Sequence, residues 1–167
     1  PFKLERLMDK ISSLGVLLAS INTRNPVTNF PGTDAIKREI NHKLARGEKI
    51  AVAYINMTGF KPYYMSRGPE EQRRGLNFLA GLMLDVKRNL SIYECFMAHM
   101  GGEHFVVLLD ANDYGKFCET LISTFDQRNK ELYTPHEYEQ GYIIAVDRKG
   151  VEAKFPLMAL SIGVVHN

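Results

Sequence analysis

An α+β fold, with a largely antiparallel sheet flanked by helices, is predicted by three features of the sequence. Apolar residues recur at helical spacing in several separate segments. Short β-branched and apolar runs lie between those segments. Two of these runs, Tyr93 to Met100 and Phe105 to Leu109, are joined across the paired glycines Gly101-Gly102, a hairpin signal that favours antiparallel over parallel pairing.

The elements follow in order. Leu4, Leu7, Met8, Ile11, Leu14, Leu18 and Ile21 form an amphipathic helical stripe, with spacing that suits either a core helix or half of a coiled coil. Asn25-Pro26 and Pro31-Gly32 punctuate a loop. Thr33 or Asp34 is expected to cap a second helix carrying Ile36, Ile40 and Leu44, which ends at Arg46 with Gly47 just beyond. Ile50 to Ile55 is a buried strand. A polar and aromatic stretch, Asn56 to Gly68, leads to Pro69, Glu70 and Glu71. Proline and acids open a helix well, and this one should run to about Asn89, burying Leu76, Leu79, Leu82, Met83 and Val86. After the glycine hairpin, Asn112 or Asp113 is expected to cap a helix burying Phe117, Leu121, Ile122 and Phe125. Gly141 to Val146 and Leu157 to Val165 are expected to form a final pair of strands around Asp147 to Gly150.

The chain has 167 residues, the size of one ordinary domain, and 45% of them are hydrophobic. Its formal charge is only +2, so neither nucleic acid nor an anionic membrane is called for as a partner. No apolar run approaches the ~20 residues of a membrane span. Cys95 and Cys118 lack metal-site or CxxC spacing and are expected to be reduced, buried thiols of a cytoplasmic protein. The chain opens on Pro1, and a piece of a longer protein is expected.

The segment His99-Met100-Gly101-Gly102-Glu103-His104-Phe105 and the strand after it resemble the GGDEF signature of diguanylate cyclases. Further segments fall in that family's order. Asn25-Pro26-Val27-Thr28-Asn29-Phe30-Pro31-Gly32 looks like its "DPLTGLPN" opening, and Ile55-Asn56-Met57-Thr58-Gly59-Phe60-Lys61 stands where it has "DxDxFK". Ser161-Ile162-Gly163-Val164 matches its "SIGV" strand. Gly141-Tyr142-Ile143, Asp147-Arg148 and Pro156-Leu157-Met158 resemble a subgroup that often accompanies EAL domains. The resemblance covers residue 25 to the end. It implies a nucleotidyl-cyclase-like (palm or ferredoxin-like) domain over residues 25–167, preceded by a signalling or linker helix over residues 1–24.

Active members of that family join two GTP molecules into cyclic di-GMP, a phosphoryl transfer that needs divalent cations held by carboxylates. Carried over by position, the resemblance puts Asn56 and Thr58 where metal-binding aspartates stand. Tyr64 takes the place of a guanine-contacting Asn, with Met65 beside it, and Arg73 that of a second guanine-contacting Asp. Glu103 keeps an acid in the signature, His104 replaces its Glu, and Lys61 and Phe60 are kept. The product-binding RxxD motif is replaced by Tyr93-Glu94-Cys95-Phe96.

These departures imply a domain without catalytic residues, acting on neighbouring domains of a longer chain or as a homodimer, with no cofactor. Two alternatives stay open. One is a GTP sensor or weak cyclase, using Mg²⁺ at Glu103 and nucleotide at Lys61, Tyr64 and Arg73. The other is a structural dimerisation element organised by the first helix. At single sites, His99, Glu103 and His104 form either a transition-metal site or a polar rim. Tyr63 and Tyr64 with Arg67, Arg73 and Arg74 either hold a ligand or fill the cleft. Met57, Met65 and Met100 are either core filler or an adaptable protein-binding surface.

Overall fold

The computed structural model describes residues 24–167; the N-terminal stripe Leu4 to Ile21 lies outside the described residues. The elements run α1 (Thr33–Ala45), β1 (Ile50–Thr58), α2 (Phe60–Met65), α3 (Pro69–Asn89), β2 (Cys95–Gly101), β3 (His104–Asp110), α4 (Tyr114–Arg128), a 3₁₀ turn (Asn129–Leu132), α5 (Pro135–Gln140), β4 (Tyr142–Val146), β5 (Glu152–Pro156) and β6 (Ala159–His166).

Four strands form one sheet in the order β2-β3-β1-β6, and every neighbouring pair is antiparallel. Strand alternation gives this sheet two faces. On one, Ala53, Ile55 and Met57 of β1 join Phe105, Val107 and Leu109 of β3. They pack against Leu79, Leu82, Met83 and Val86 of α3 and Phe117, Leu121 and Phe125 of α4, forming the main core. On the other, α1 lays Ile36 onto Ile50, Ala98, Val106 and Leu108, a smaller cluster. That cover stops short of β6, whose Ala159, Ser161, Gly163 and Val165 stay exposed.

The helix ends follow their chemistry. Helix α3 starts on Pro69 with Glu70 and Glu71 in its first turn and closes on Lys87 and Arg88, matching both poles of the helix dipole. The expected caps at Thr33 or Asp34 and at Asn112 are not used. Gly32 occupies the first of these positions. At the second, Asp113 is the cap residue but its side chain makes no cap bond. The Asp110 carboxylate instead takes the Asn112 backbone N–H and side-chain amide, so the turn is closed from the strand side.

Two segments depart from the sequence expectation. Phe60–Met65 is helical, within the stretch read from the sequence only as polar and aromatic. Its Phe60 and Tyr63 are buried, and their spacing of three is a helical signal too short to register over one turn. The final pair of strands is also different. β4 pairs with β5 as a separate two-stranded hairpin, whereas β6 crosses to the main sheet and pairs with β1 from Ala51 to Thr58. The switch is fixed at Met158, whose N–H donates to the Tyr133 hydroxyl at 2.8 Å and whose carbonyl accepts from the Asn129 amide at 3.2 Å. Both partners lie outside the strands, so strand patterning does not reveal them.

Helix α3 approaches α2 unusually closely. A Cβ on Gly75 would stand 2.6 Å from the Phe60 ring, well inside contact distance. Gly75 therefore sets how near the two helices lie, and with it the position of Tyr63, Tyr64 and Lys61.

Candidate functional site

The site to be tested is the end of the sheet where β1 runs into α2 and meets the β2–β3 turn. The turn depends on its glycines. Gly101 and Gly102 have φ of 111° and 53°, values that any residue with a Cβ adopts at a cost of about 1–2 kcal/mol. A register shift between His99 and Gly101 marks a bulge there. The turn is tied to β1 by the Met57 N–H, which donates to the Glu103 carbonyl at 3.4 Å. Asn56 faces His104 across the β1–β3 ladder and Ser161 across the β1–β6 ladder. The fold thus brings Asn56, Thr58, Glu103 and His104 to one end of the sheet.

Two of these groups, Thr58 and His104, are bonded to their neighbours. Thr58 donates its hydroxyl to the Ala159 carbonyl at 3.1 Å. The His104 ring stacks on Tyr54, with centroids 5.6 Å apart, and its Nδ1 shares a 2.7 Å hydrogen bond with the Tyr54 hydroxyl. The Asn56 Oδ1 is buried and has no partner. This carbonyl oxygen and the carboxylate of Glu103 are oxygen donors at this end, with Glu103 the acid among the matched positions. Mg²⁺ favours several hard oxygens with at least one or two carboxylates, so this donor set fits it poorly. Among the described residues no three His, Cys, Asp or Glu side chains are grouped as a metal would need. The set His99, Glu103 and His104 is therefore not assembled.

His99 has a different role, which sequence reasoning missed. It is buried and stacks flat on Phe105, centroids 4.2 Å apart. Its Nε2 lies 2.8 Å from the Gly102 carbonyl, an acceptor only, so that nitrogen carries the proton. Its Nδ1 then accepts from the Thr28 hydroxyl at 3.0 Å. Thr28 in turn accepts from the Phe30 N–H, and the His99 N–H donates to the Pro31 carbonyl at 2.9 Å. One neutral imidazole thus pins the loop after Asn25 to the glycine turn. Burial holds its pKa below the ordinary histidine value, against the opposing pull of the Gly102 carbonyl. The available signal was a histidine inside the apolar run Met97-Ala98-His99, where an unpaired imidazole would be costly.

The aromatic and basic cluster divides. Tyr63 is fully buried and donates to Glu71 at 2.5 Å; burial first, then this bond, holds its phenol well above the usual tyrosine range. Tyr64 packs its ring on Phe60, centroids 5.0 Å apart. Arg67 lies over the rings of Tyr63 and Tyr133, donates to the Leu132 carbonyl at 3.2 Å and pairs with Glu137. Arg74 pairs with Glu71 at 3.2 Å. A cleft of about 420 Å³ between these groups is lined by Arg67, Glu71, Arg74 and Glu137, whose charges balance. Arg73 points elsewhere and meets Glu70 at 3.4 Å on the exposed face of α3. The tyrosines accordingly fill space, and Arg67 and Arg74 are satisfied internally. Of the methionines, Met57 is core, while Met65 and Met100 are exposed.

No protein-family model matches the chain, and no curated protein matches it. Solved structures do. The coiled coil and GGDEF domain of DgcB from Caulobacter crescentus, in complex with c-di-GMP, superposes with a TM-score of 0.64 at 16% identity, covering 98% of this chain and 82% of that one. The FimX GGDEF domain from Pseudomonas aeruginosa gives 0.63 at 18% identity, covering 87% and 80%. The S helix-GGDEF-EAL structure of Vibrio cholerae LapD, bound to c-di-GMP, gives 0.62 at 15% identity, covering 94% of this chain and 32% of that one. At these identities the shared property is the fold: the chain has the architecture of GGDEF domains, a central antiparallel sheet flanked by helices. Among the described residues no helix is long and apolar enough to cross a membrane.

Proposed function

We propose that this chain is a GGDEF-type domain that has kept its scaffold and lost its catalysis, and that it regulates a longer signalling protein through contacts with neighbouring domains or with a second copy. The observation that carries this reading is the donor set at the sheet end. An active site for joining two GTP molecules requires carboxylates that hold cations against the triphosphate. Here Asn56 and Thr58 stand at the matched positions, Glu103 is the remaining acid, and His104 is bonded to Tyr54.

Guanine recognition supports the same reading. Tyr64 packs on Phe60 and Arg73 sits with Glu70, so neither offers the amide or carboxylate that matches a guanine edge. A buried polar group left without its partner costs about 1–3 kcal/mol, and two bound nucleotides incur that loss twice. The LapD structure shows this fold within a chain that also carries an EAL domain, which is the setting proposed here. Cytoplasmic location and a linker helix over residues 1–24 belong to the same proposal.

The test is a calorimetric titration with GTP and Mg²⁺. We expect no saturable heat up to millimolar nucleotide. Saturable binding in the physiological range would favour the nucleotide sensor instead.

A further inference from the structure

Between α2 and the β4–β5 hairpin runs a groove of about 670 Å³, lined by Lys61, Pro62, Met65, Val146, Asp147, Arg148, Lys149 and Phe155. Its size suits a few side chains of a bound ligand. Two of its apolar walls are open to solvent, Met65 at 61% and Val146 at 54% exposure. Exposed apolar side chains gathered in a groove mark an interaction site more often than apolar residues scattered singly over a surface. Methionine at its centre suits a surface that adapts to its ligand.

The rim carries three cations and one carboxylate. Among the described residues the side chains of Lys61, Arg148 and Lys149 take part in no ion pair or hydrogen bond, unlike those of Arg67, Arg73, Arg74, Arg88 and Arg128, which all meet carboxylates. The one acid in the lining, Asp147, spends its Oδ1 on the Lys149 and Val151 N–H groups at 2.8 and 3.0 Å, closing the hairpin turn. Glu152 stands opposite Val146 across the hairpin. Three uncommitted cations around an apolar floor select for a ligand that carries both apolar side chains and carboxylates.

We propose that this groove docks a short acidic, apolar peptide segment of a partner protein. The inference rests on the regulatory reading above and gives that contact its surface. Apolar side chains of the segment would enter between Met65, Pro62, Val146 and Phe155, and its carboxylates would meet Lys61, Arg148 and Lys149.

The experiment is selection of a random 16-residue peptide display library on the purified chain, followed by affinity measurement of the enriched peptides. Enriched sequences should combine Asp or Glu with apolar residues. Their affinity should fall about tenfold or more in the variant Lys61→Glu, Arg148→Glu, Lys149→Glu, since exposed ion pairs add modestly but together. Met65→Ser should weaken them severalfold, with circular dichroism and melting unchanged in both variants because the altered side chains are solvent-exposed or at a rim. Neutral or basic peptides, peptides indifferent to these substitutions, or no enrichment would overturn the proposal. So would preferential binding of tripolyphosphate or of vesicles rich in phosphatidylserine. Cyclic di-GMP formation, assayed on the same preparation, would overturn the regulatory reading whether or not peptides bind, so the two failures are separable.

Discussion

The two sides of β1 carry different kinds of residue. Towards the helices, Ala53, Ile55 and Met57 are almost completely buried. Towards the other face, Tyr54 and Thr58 are exposed and Asn56 half-buried. Because side chains alternate along a strand, scaffold and site are interleaved residue by residue on one segment. The inward set decides whether the sheet packs on α3 and α4. The outward set includes the positions matched to metal-binding aspartates. One set can change while the other is held, which is how a fold can outlive a chemistry.

That contrast can be broken at its strong side first. Leu79→Ala, in the core beneath the sheet, should cost about 2–5 kcal/mol, the usual cavity penalty for a buried leucine; urea denaturation measures it. A loss under 1 kcal/mol would mean the inward face is loosely packed.

His99 lies at the junction of the two regions. His99→Phe keeps a ring against Phe105 but strands the Gly102 carbonyl and the Thr28 hydroxyl, and should cost about 1–3 kcal/mol. The pH dependence has a definite sign. The folded pKa lies below the unfolded value, so the unfolded chain binds the proton more readily. The stabilisation is complete above the unfolded pKa and declines as pH falls from about 6.5 towards the depressed folded value. Denaturation midpoints between pH 7.5 and 5 should therefore fall less steeply in His99→Phe than in the parent. Parallel slopes would remove the neutral imidazole from the account.

Gly75→Ala sets two effects in opposition. The helix gains about 1 kcal/mol from alanine, while the new methyl meets the buried Phe60 ring and costs about 1–3 kcal/mol. A net loss of up to about 2 kcal/mol is expected in thermal melts. A stabilised variant would show that α2 can move away from α3.

The outward face should be tolerant. Tyr54→Phe removes the exposed bond to His104 and should change stability by less than about 1 kcal/mol. A larger loss would mean that His104 has become part of the scaffold.

The packed side was largely legible in the sequence. Helical spacing located Leu76 to Val86 and Phe117 to Phe125, and the paired glycines located the β2–β3 turn. What escaped was set by contacts distant in sequence or by very short elements. The six-residue α2 gives too few residues for a period to show. β6 prefers β1 to β4 because Asn129 and Tyr133 hold Met158, and a strand's own pattern does not name its partner. At the site, the positions of Asn56, Glu103 and His104 followed from the resemblance. The bonds of His99 to Thr28 and of Tyr54 to His104 did not, because they join side chains 71 and 50 residues apart. The charge balance around Arg67 likewise depends on Glu137, brought in by a capping box at Thr134 that opens α5.

Repair substitutions bear on the outward face most sharply. Asn56→Asp should strengthen divalent-cation binding modestly by adding a carboxylate near Glu103, and should leave the chain inactive; activity is expected to require Tyr64→Asn and Arg73→Asp as well. Cyclic di-GMP from the single variant would mean that the base pocket is intact.

The most direct test uses the unaltered chain. Incubated with GTP and Mg²⁺ or Mn²⁺, it should give no cyclic di-GMP above a control without protein. Product that rises with protein concentration and disappears in Glu103→Ala would contradict the account.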